Sequence, residues 1–217
     1  MTPLAAMLDF WNRDLHYPRD RAKIKALIGV DPQGYAWCGR TAQAAYRAAG
    51  LNRLISFASV YKVRAFAQYK DAGVTRLWCV YRAVNAWCPC SVRDLHASFG
   101  QPRVFLPWGD GGKACPGDLT LHESKPGAAN GHVMLFYDRY GGTLHFLGGN
   151  QKGQFPDGTF GKGITKKAIV PDDTYPTWIV RPSPLDFDPD VTFCRTEAEA
   201  VKLAAQRNGG RDARSES

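Results

Sequence analysis

Two groups of apolar residues near the N-terminus recur at intervals of three or four positions, with Tyr17-Pro18 between them. Such spacing places side chains on one face of a helix, so residues 4–28 are predicted to form two short helices. The apolar positions are Leu4, Met7, Leu8, Trp11, Leu15, Ile24, Leu27 and Ile28.

A third helix is predicted to begin at Trp37-Cys38-Gly39 and to end at Gly50, a residue type that favours the position after a helix C-terminus. Small side chains let a helix approach its neighbours closely, so we expect this helix at the centre of the fold. Its alanines include Ala44, Ala45, Ala48 and Ala49.

The middle of the chain is predicted to be partly helical over residues 54–70 and 74–97. The second segment carries an apolar stripe made of Trp78, Tyr81, Val84 and Trp87. From about residue 103 the pattern changes to short alternating or β-branched runs divided by glycine and proline, which is typical of strands. We predict strands near residues 119–121, 132–137, 143–147, 164–170 and 177–181.

Gly141-Gly142 is predicted to be a tight hairpin turn between the second and third of these strands. Helices first and antiparallel strands afterwards indicate an α+β fold, with the N-terminal helices packed on a central antiparallel sheet. No repeat or linker divides the sequence, so we predict one domain over residues 1–207. The polar residues 208–217 are predicted to be a disordered tail.

The composition is that of a globular protein, with 44% hydrophobic and 22% charged residues. The formal net charge of +8 favours a polyanionic partner, which includes nucleic acid, an anionic membrane surface and the acidic polymers of a cell wall. We find no signal sequence and no apolar stretch of membrane-spanning length. We therefore expect synthesis in the cytoplasm and no membrane insertion.

Cys38 is the candidate nucleophile among the six cysteines of the sequence. A thiol reacts as the thiolate, which is favoured by the positive end of a helix dipole and by a neighbouring imidazolium. Cys38 lies at a predicted helix start. His132, which begins a predicted strand after a loop rich in glycine and alanine, is the candidate base.

An amide side chain is expected to orient the imidazole. If the Gly141-Gly142 hairpin forms, the strand that follows it brings Asn150 and Gln151 to the same sheet edge as His132. Either side-chain oxygen could accept from the imidazole N–H, which is the third role in a Cys-His-Asn arrangement.

Four motifs, in this order, resemble the CHAP and NlpC-type cysteine amidases of peptidoglycan. The resemblance covers about residues 30–182 and is greatest to the phage and bacterial branch, whose middle reads Ser91-Val-Arg93-Asp-Leu95 and then Phe99-Gly100. The four motifs are Trp37-Cys38, Pro116-Gly117-Asp118-Leu119, Gly131-His132-Val133 and Gly148-Gly149-Asn150-Gln151.

The resemblance implies a papain-like fold and a thiol mechanism in which Cys38 attacks a peptidoglycan amide, His132 acts as base and Asn150 orients the base. Many members carry glutamate two residues before this asparagine, whereas this chain has Gly148 there. Gln151 is therefore an alternative for the third residue. We expect no cofactor and no metal ion.

The expected partner is peptidoglycan, because its peptide stems and associated polymers carry the negative charge that a protein of charge +8 would bind. We expect a monomer that acts in the periplasm or cell wall after lysis or delivery. It would be a phage endolysin, a virion hydrolase or a delivered toxin, and an inhibitor or immunity protein could restrain it. Aromatic and basic residues beside the cleft are predicted to contact the substrate, namely Tyr35, Trp37, Trp108 and Lys113.

A competing hypothesis is a basic nucleic-acid-binding protein stapled by zinc, which would use Cys79, Cys88, Cys90 and His96, with Cys115 as a further candidate. Paired zinc ligands are commonly separated by two to four residues, whereas one residue separates Cys88 from Cys90. Under this hypothesis the order of Cys38, His132 and Asn150 is a coincidence, so nucleic acid is not the expected partner. His122 has no assigned partner, and His145 is expected to pack or face solvent.

Overall fold

The computed structural model describes residues 1–34, 36–51, 76–81, 87–91, 104–107, 114–123, 131–140, 142–169, 177–181, 191–194, 196, 198–203 and 205–206. The helices are α1 (Pro3–Asn12), α2 (Arg21–Ile28) and α3 (Cys38–Ala48), and residues 198–203 are also helical. The strands are β1 (Arg76–Tyr81), β2 (Trp87–Ser91), β3 (Val104–Pro107), β4 (Leu119–Glu123), β5 (Gly131–Tyr140), β6 (Thr143–Gln154), β7 (Phe160–Ile169), β8 (Thr177–Arg181) and β9 (Val191–Cys194).

The two N-terminal helices form where the apolar spacing predicts them. The backbone N–H of Ala5 donates to Thr2 Oγ1 at 3.1 Å, and Pro3 has no N–H that would need an acceptor in the first turn, so α1 begins there. The second helix, α2, ends at Gly29, whose φ of 74° is a conformation that glycine adopts without strain. The break at Tyr17-Pro18 lies between the helices, as predicted.

Six strands form an antiparallel sheet in the order β3-β8-β4-β5-β6-β7. The hairpin between β5 and β6 is confirmed, since Tyr140 pairs with Thr143 and Gly142 has a φ of 77°. Each of the five predicted strands is present. The structure adds β3 and β9, which the sequence reading missed, and β6 extends seven residues beyond its predicted end, to Gln154.

The prediction of partly helical structure over residues 74–97 is wrong where the structure describes this segment. Here β1 and β2 are antiparallel strands of a second sheet with the order β2-β1-β9, in which Cys79 is the register partner of Cys88. Aromatic and β-branched residues favour strands, and Pro89 is unfavourable inside a helix, so the apolar stripe misled the prediction. Residues 54–70 lie outside the described part of the chain.

The helices pack on one face of the six-stranded sheet. The helical alanines Ala42 and Ala45 are buried in the same core as Val133, Leu135 and Leu147 of β5 and β6. The structure is therefore α+β, with helices on an antiparallel sheet, as predicted. A separate cluster on the other face consists of Met134, Phe136, Leu144 and Phe146, which alternate along the strands with the first set.

The turn before β4 is tied to both α3 and the sheet. The hydroxyl of Tyr46 donates to the carbonyl oxygen of Gly117 at 2.8 Å. The carboxylate of Asp118 is buried and accepts from the Arg181 guanidinium at 2.9 and 2.7 Å and from the Cys115 N–H at 2.8 Å. Asp118 therefore joins β4 to β8, and its buried carboxylate is not left without an ion-pair partner or hydrogen bonds.

The outer edge of β7 is partly covered by the loop that follows α1. The Tyr17 N–H donates to the carbonyl oxygen of Lys162 at 2.8 Å, and the Ile164 N–H donates to the carbonyl oxygen of Leu15 at 3.2 Å. His16 and Gly163 form an isolated antiparallel bridge between these bonds. This short segment therefore acts as an extra partner for the last strand of the sheet.

None of the helices in the described ranges is both long and apolar enough to cross a bilayer. The predicted tail over residues 208–217 lies outside those ranges, and the single domain over residues 1–207 stays a prediction.

Candidate active site

Cys38 is the first residue of α3 and is 6% exposed. The preceding residue, Trp37, has φ and ψ of −109° and 11°, which lie outside the helical range, so the helix begins at the thiol as predicted. The small residues of α3 allow this helix start to lie against β5 and β6. The thiol is not part of a disulfide.

The surroundings of Cys38 do not hold it as a thiolate. Burial raises the pKa of the Cys38 thiol, and hydrogen bonds from the backbone N–H groups of Val133, Gly39 and Cys38 itself lower it only in part. The helix start therefore does not give the low thiol pKa expected from the sequence. The contribution of Val133 indicates that the sulfur lies near the residue that follows His132.

His132 is held by a chain of two hydrogen bonds. Its Nε2 lies 2.8 Å from Gln151 Oε1, and Gln151 Nε2 donates to the carbonyl oxygen of Thr165 at 2.9 Å. A carbonyl oxygen only accepts, so the amide nitrogen of Gln151 faces Thr165 and its oxygen faces His132. In the neutral ring, Nε2 therefore carries the proton and Nδ1 presents a lone pair.

Burial also lowers the pKa of His132, the hydrogen bond with Gln151 raises it in part, and the charge of Lys167 lowers it further. The net direction is downward from the ordinary value of 6.5. The imidazole is therefore neutral at pH 7 and is able to accept a proton on Nδ1.

An extra residue in β6 brings Gln151, and not Asn150, to the imidazole. The register with β7 changes from Gly148–Thr165 to Gln151–Gly163, so β6 has one residue more than its partner. Asn150 lies in this bulge with a φ of 59°, and Gln151 is turned inward and is 6% exposed. In the described part of the chain the Asn150 side chain makes no hydrogen bond.

Gly149 allows the start of α3 to lie directly on β6. A Cβ at this position would lie 2.5 Å from Cζ3 and 2.8 Å from Cε3 of Trp37, and it would also overlap the hydroxyl of Thr41. Trp37 is fully buried by this contact, and its indole N–H has no hydrogen-bond partner within the described structure. Its burial does not fit the prediction that Trp37 is open to substrate.

The other predicted substrate-binding residues, Tyr35, Trp108 and Lys113, lie outside the described residues. The same holds for His96 and for the side chains of Cys79, Cys88 and Cys90, on which the zinc hypothesis depends. Cys115 is exposed. Over the described ranges, no three His, Cys, Asp or Glu side chains are grouped closely enough to hold a metal ion.

His122 is a neighbour of the site that the sequence reading missed. It is the register partner of His132 across β4 and β5, its Nε2 lies 3.3 Å from Thr120 Oγ1, and its ring meets the Phe146 ring edge-on at 5.4 Å. Burial lowers the pKa of His122 to about 3, with smaller contributions from His132 and Lys167. The pairing of two predicted strands, 119–121 and 132–137, is the signal that finds it.

Comparison of the chain with protein-family models, curated proteins and solved structures finds no match. The assignment of a function therefore depends on the geometry of Cys38, His132 and Gln151 and on the order of the sequence motifs.

Proposed function

We propose that the chain is a papain-like cysteine hydrolase that cleaves amide bonds of bacterial peptidoglycan. The observation that carries the proposal is the bonded chain from Thr165 through Gln151 to His132, which leaves Nδ1 as the basic nitrogen. Cys38 is the candidate thiol, and the backbone N–H of Val133, the residue after this base in the chain, partly lowers its pKa. Gln151 is the orienting residue, in the place that the family resemblance gives to Asn150.

The glycine at position 148 supports this role for Gln151. A Cβ at Gly148 would lie 3.5 Å from Gln151 Oε1, so the amide oxygen occupies space next to the position where many members of the CHAP and NlpC-type family carry glutamate. Gln151 thus supplies from the bulge the acceptor that a glutamate would supply from position 148. An amide in this role fixes the ring without adding a negative charge.

The reaction begins from a neutral thiol and a neutral imidazole. His132 Nδ1 takes the thiol proton as the Cys38 sulfur attacks the amide carbonyl, and the resulting imidazolium then protonates the leaving amine. Backbone N–H groups at the start of α3 stabilise the oxyanion. Water, deprotonated by the same nitrogen, hydrolyses the thioester, which restores the thiol and releases the carboxylic acid.

The choice of peptidoglycan depends on the family resemblance and on the charge of +8, which suits a polymer bearing carboxylates. A phage endolysin, a virion hydrolase and a delivered toxin are the settings that fit this reaction. The bond that is cut is an amide of the peptide stem, of its link to the sugar, or of a cross-bridge.

The test is the clearing of purified sacculi, with mass analysis of the released fragments to identify the amide that is cut. Protein with Cys38→Ala and protein with His132→Ala should each lose activity by at least about 10³-fold. The matched control is His145→Ala, because His145 lies on the adjacent strand and bonds to Asp138 at 2.5 Å instead of to the site. Equal clearing by the Cys38→Ala protein would end the proposal, and stoichiometric zinc in purified protein would favour the competing hypothesis.

A further inference from the structure

Two exposed lysines face each other on the β6–β7 hairpin. Lys152 and Lys162 are register partners, and like charges directly opposite each other destabilise a sheet. In the described chain neither lysine has an ion-pair partner, and the same is true of Lys166 further along β7. Because placing these lysines together costs folding free energy, we look for an anionic binding partner that would offset their charge.

Two of these ammonium groups are held over aromatic rings of the N-terminal segment. Lys162 Nζ lies 5.1 Å from the centre of the Tyr17 ring, and Lys166 Nζ lies 5.5 Å from that of Trp11. The rings are themselves fixed, since the Tyr17 N–H bonds to the Lys162 carbonyl and the Trp11 indole N–H bonds to the Gln154 carbonyl at 3.0 Å. Lysines restrained in this way lose less conformational entropy when they bind an anion.

These lysines begin at the margin of the candidate active site. Lys152 directly follows Gln151, the residue that holds His132. On the opposite side, the Tyr17 ring lies 6.2 Å from the ring of Trp37, which precedes Cys38. The lysines therefore begin one residue after Gln151 on β6 and continue along β7.

We infer that Lys152, Lys162 and Lys166 form a lysine strip that binds the carboxylate groups of peptidoglycan strands next to the reacting bond. The inference rests on the proposed function and adds a contact surface to it. The recognised chemistry is a row of carboxylates on one polymer, and three cations without an ion-pair partner among the described residues match it in charge. Duplex DNA is the alternative polyanion, and the experiment distinguishes it.

The experiment measures sedimentation of the protein with purified sacculi at several NaCl concentrations. All proteins carry Cys38→Ala, so that binding is measured without cleavage. One variant adds K152Q, K162Q and K166Q, and the matched control adds K25Q, R47Q and K202Q, three exposed cations elsewhere. Each set lowers the formal charge from +8 to +5, so any difference between them reports position and not total charge.

We expect the strip variant to bind about tenfold more weakly at low salt and to lose most of its salt dependence, while the control changes by about twofold. Sacculi with methyl-esterified carboxylates should bind the parent protein as weakly as the strip variant binds untreated sacculi. Equal binding by the strip and control variants would overturn the inference. Displacement of sacculi by duplex DNA at lower concentration than by peptidoglycan fragments would also overturn it.

Failure of the proposed reaction can be recognised separately. If protein with an intact Cys38 does not cleave sacculi but the strip and control variants bind as expected, the proposed hydrolysis is wrong and the binding role of the lysine strip is supported. If cleavage occurs and the strip variant binds as the control does, the strip alone is wrong.

Discussion

The indole ring of Trp37 lies so close to Gly149 that no side chain fits between them. A Cβ on Gly149 would lie 2.5 Å from the ring, and the ring is fully buried. We therefore expect Gly149→Ala to destabilise the protein by about 1–3 kcal/mol and to lower the hydrolysis of sacculi, because the helix start that carries Cys38 must shift. Chemical denaturation and sacculus clearing measure the two effects.

The control for this substitution is Gly148→Ala. Its Cβ would lie 3.1 Å from Met134 Cγ, and the flexible methionine is able to adjust. Its loss of stability should be clearly smaller than that of Gly149→Ala. If the two variants are equally stable and equally active, the close approach of α3 to β6 does not position the thiol.

Replacement of Gln151 separates the two candidates for the third residue. Gln151→Ala leaves the His132 ring without its acceptor, and we expect kcat to fall by about 10²-fold while KM changes little. Asn150→Gly is the matched change one position earlier, and it retains the φ of 59° without strain. It should leave kcat within about threefold of the parent, and the reverse pattern would assign the role to Asn150.

The raised thiol pKa predicts slow alkylation of Cys38 near neutrality. Only the thiolate reacts, so the rate with iodoacetamide should rise about tenfold per pH unit from pH 6 to pH 8, without a plateau. Mass analysis of the digested protein reports Cys38 separately, with the exposed Cys115 as an internal comparison. Fast alkylation that is independent of pH over this range would instead indicate a thiolate–imidazolium pair.

The lowered pKa of His122 predicts a loss of stability in acid. The pKa is about 3 in the folded protein against an ordinary 6.5, so below pH 6.5 the unfolded chain binds this proton first. The neutral His122 ring contributes fully to the free energy of unfolding above pH 6.5. This contribution is lost as the pH falls towards 3, by at most about 1.4 kcal/mol per pH unit. We therefore expect the free energy of unfolding, measured by urea denaturation, to fall less between pH 7 and pH 4 for His122→Asn than for the parent. An equal fall in the two proteins would contradict this role of His122.

Much of the fold follows from local patterns in the sequence. The break at Tyr17-Pro18, the alanines of α3 and the short apolar runs after residue 103 each predict an element that the structure confirms. The segment 74–97 was not predictable in the same way, since aromatic residues three apart fit a helix and also fit two strands joined by a turn. Their sheet also includes β9, more than a hundred residues later, which pairs with β1 and which no local pattern predicts.

The candidate site was predictable in composition but not in its internal geometry. The motifs indicate Cys38 and His132 as candidates, and of the two amide residues after the hairpin the structure brings Gln151 to the imidazole. The choice between these two depends on a single extra residue in β6, which reverses the side that each side chain faces. The burial that raises the thiol pKa likewise depends on packing by distant residues, which the pattern around Cys38 does not contain.

The bonds that Leu15 and Tyr17 make to β7 also affect how separate molecules meet. The last strand of a sheet ordinarily offers free amide and carbonyl groups to any extended segment nearby. Between Lys162 and Ile164 those groups are already bonded within the molecule. Another copy therefore cannot lengthen the sheet across this stretch, which protects a concentrated solution of the protein from aggregation at that edge.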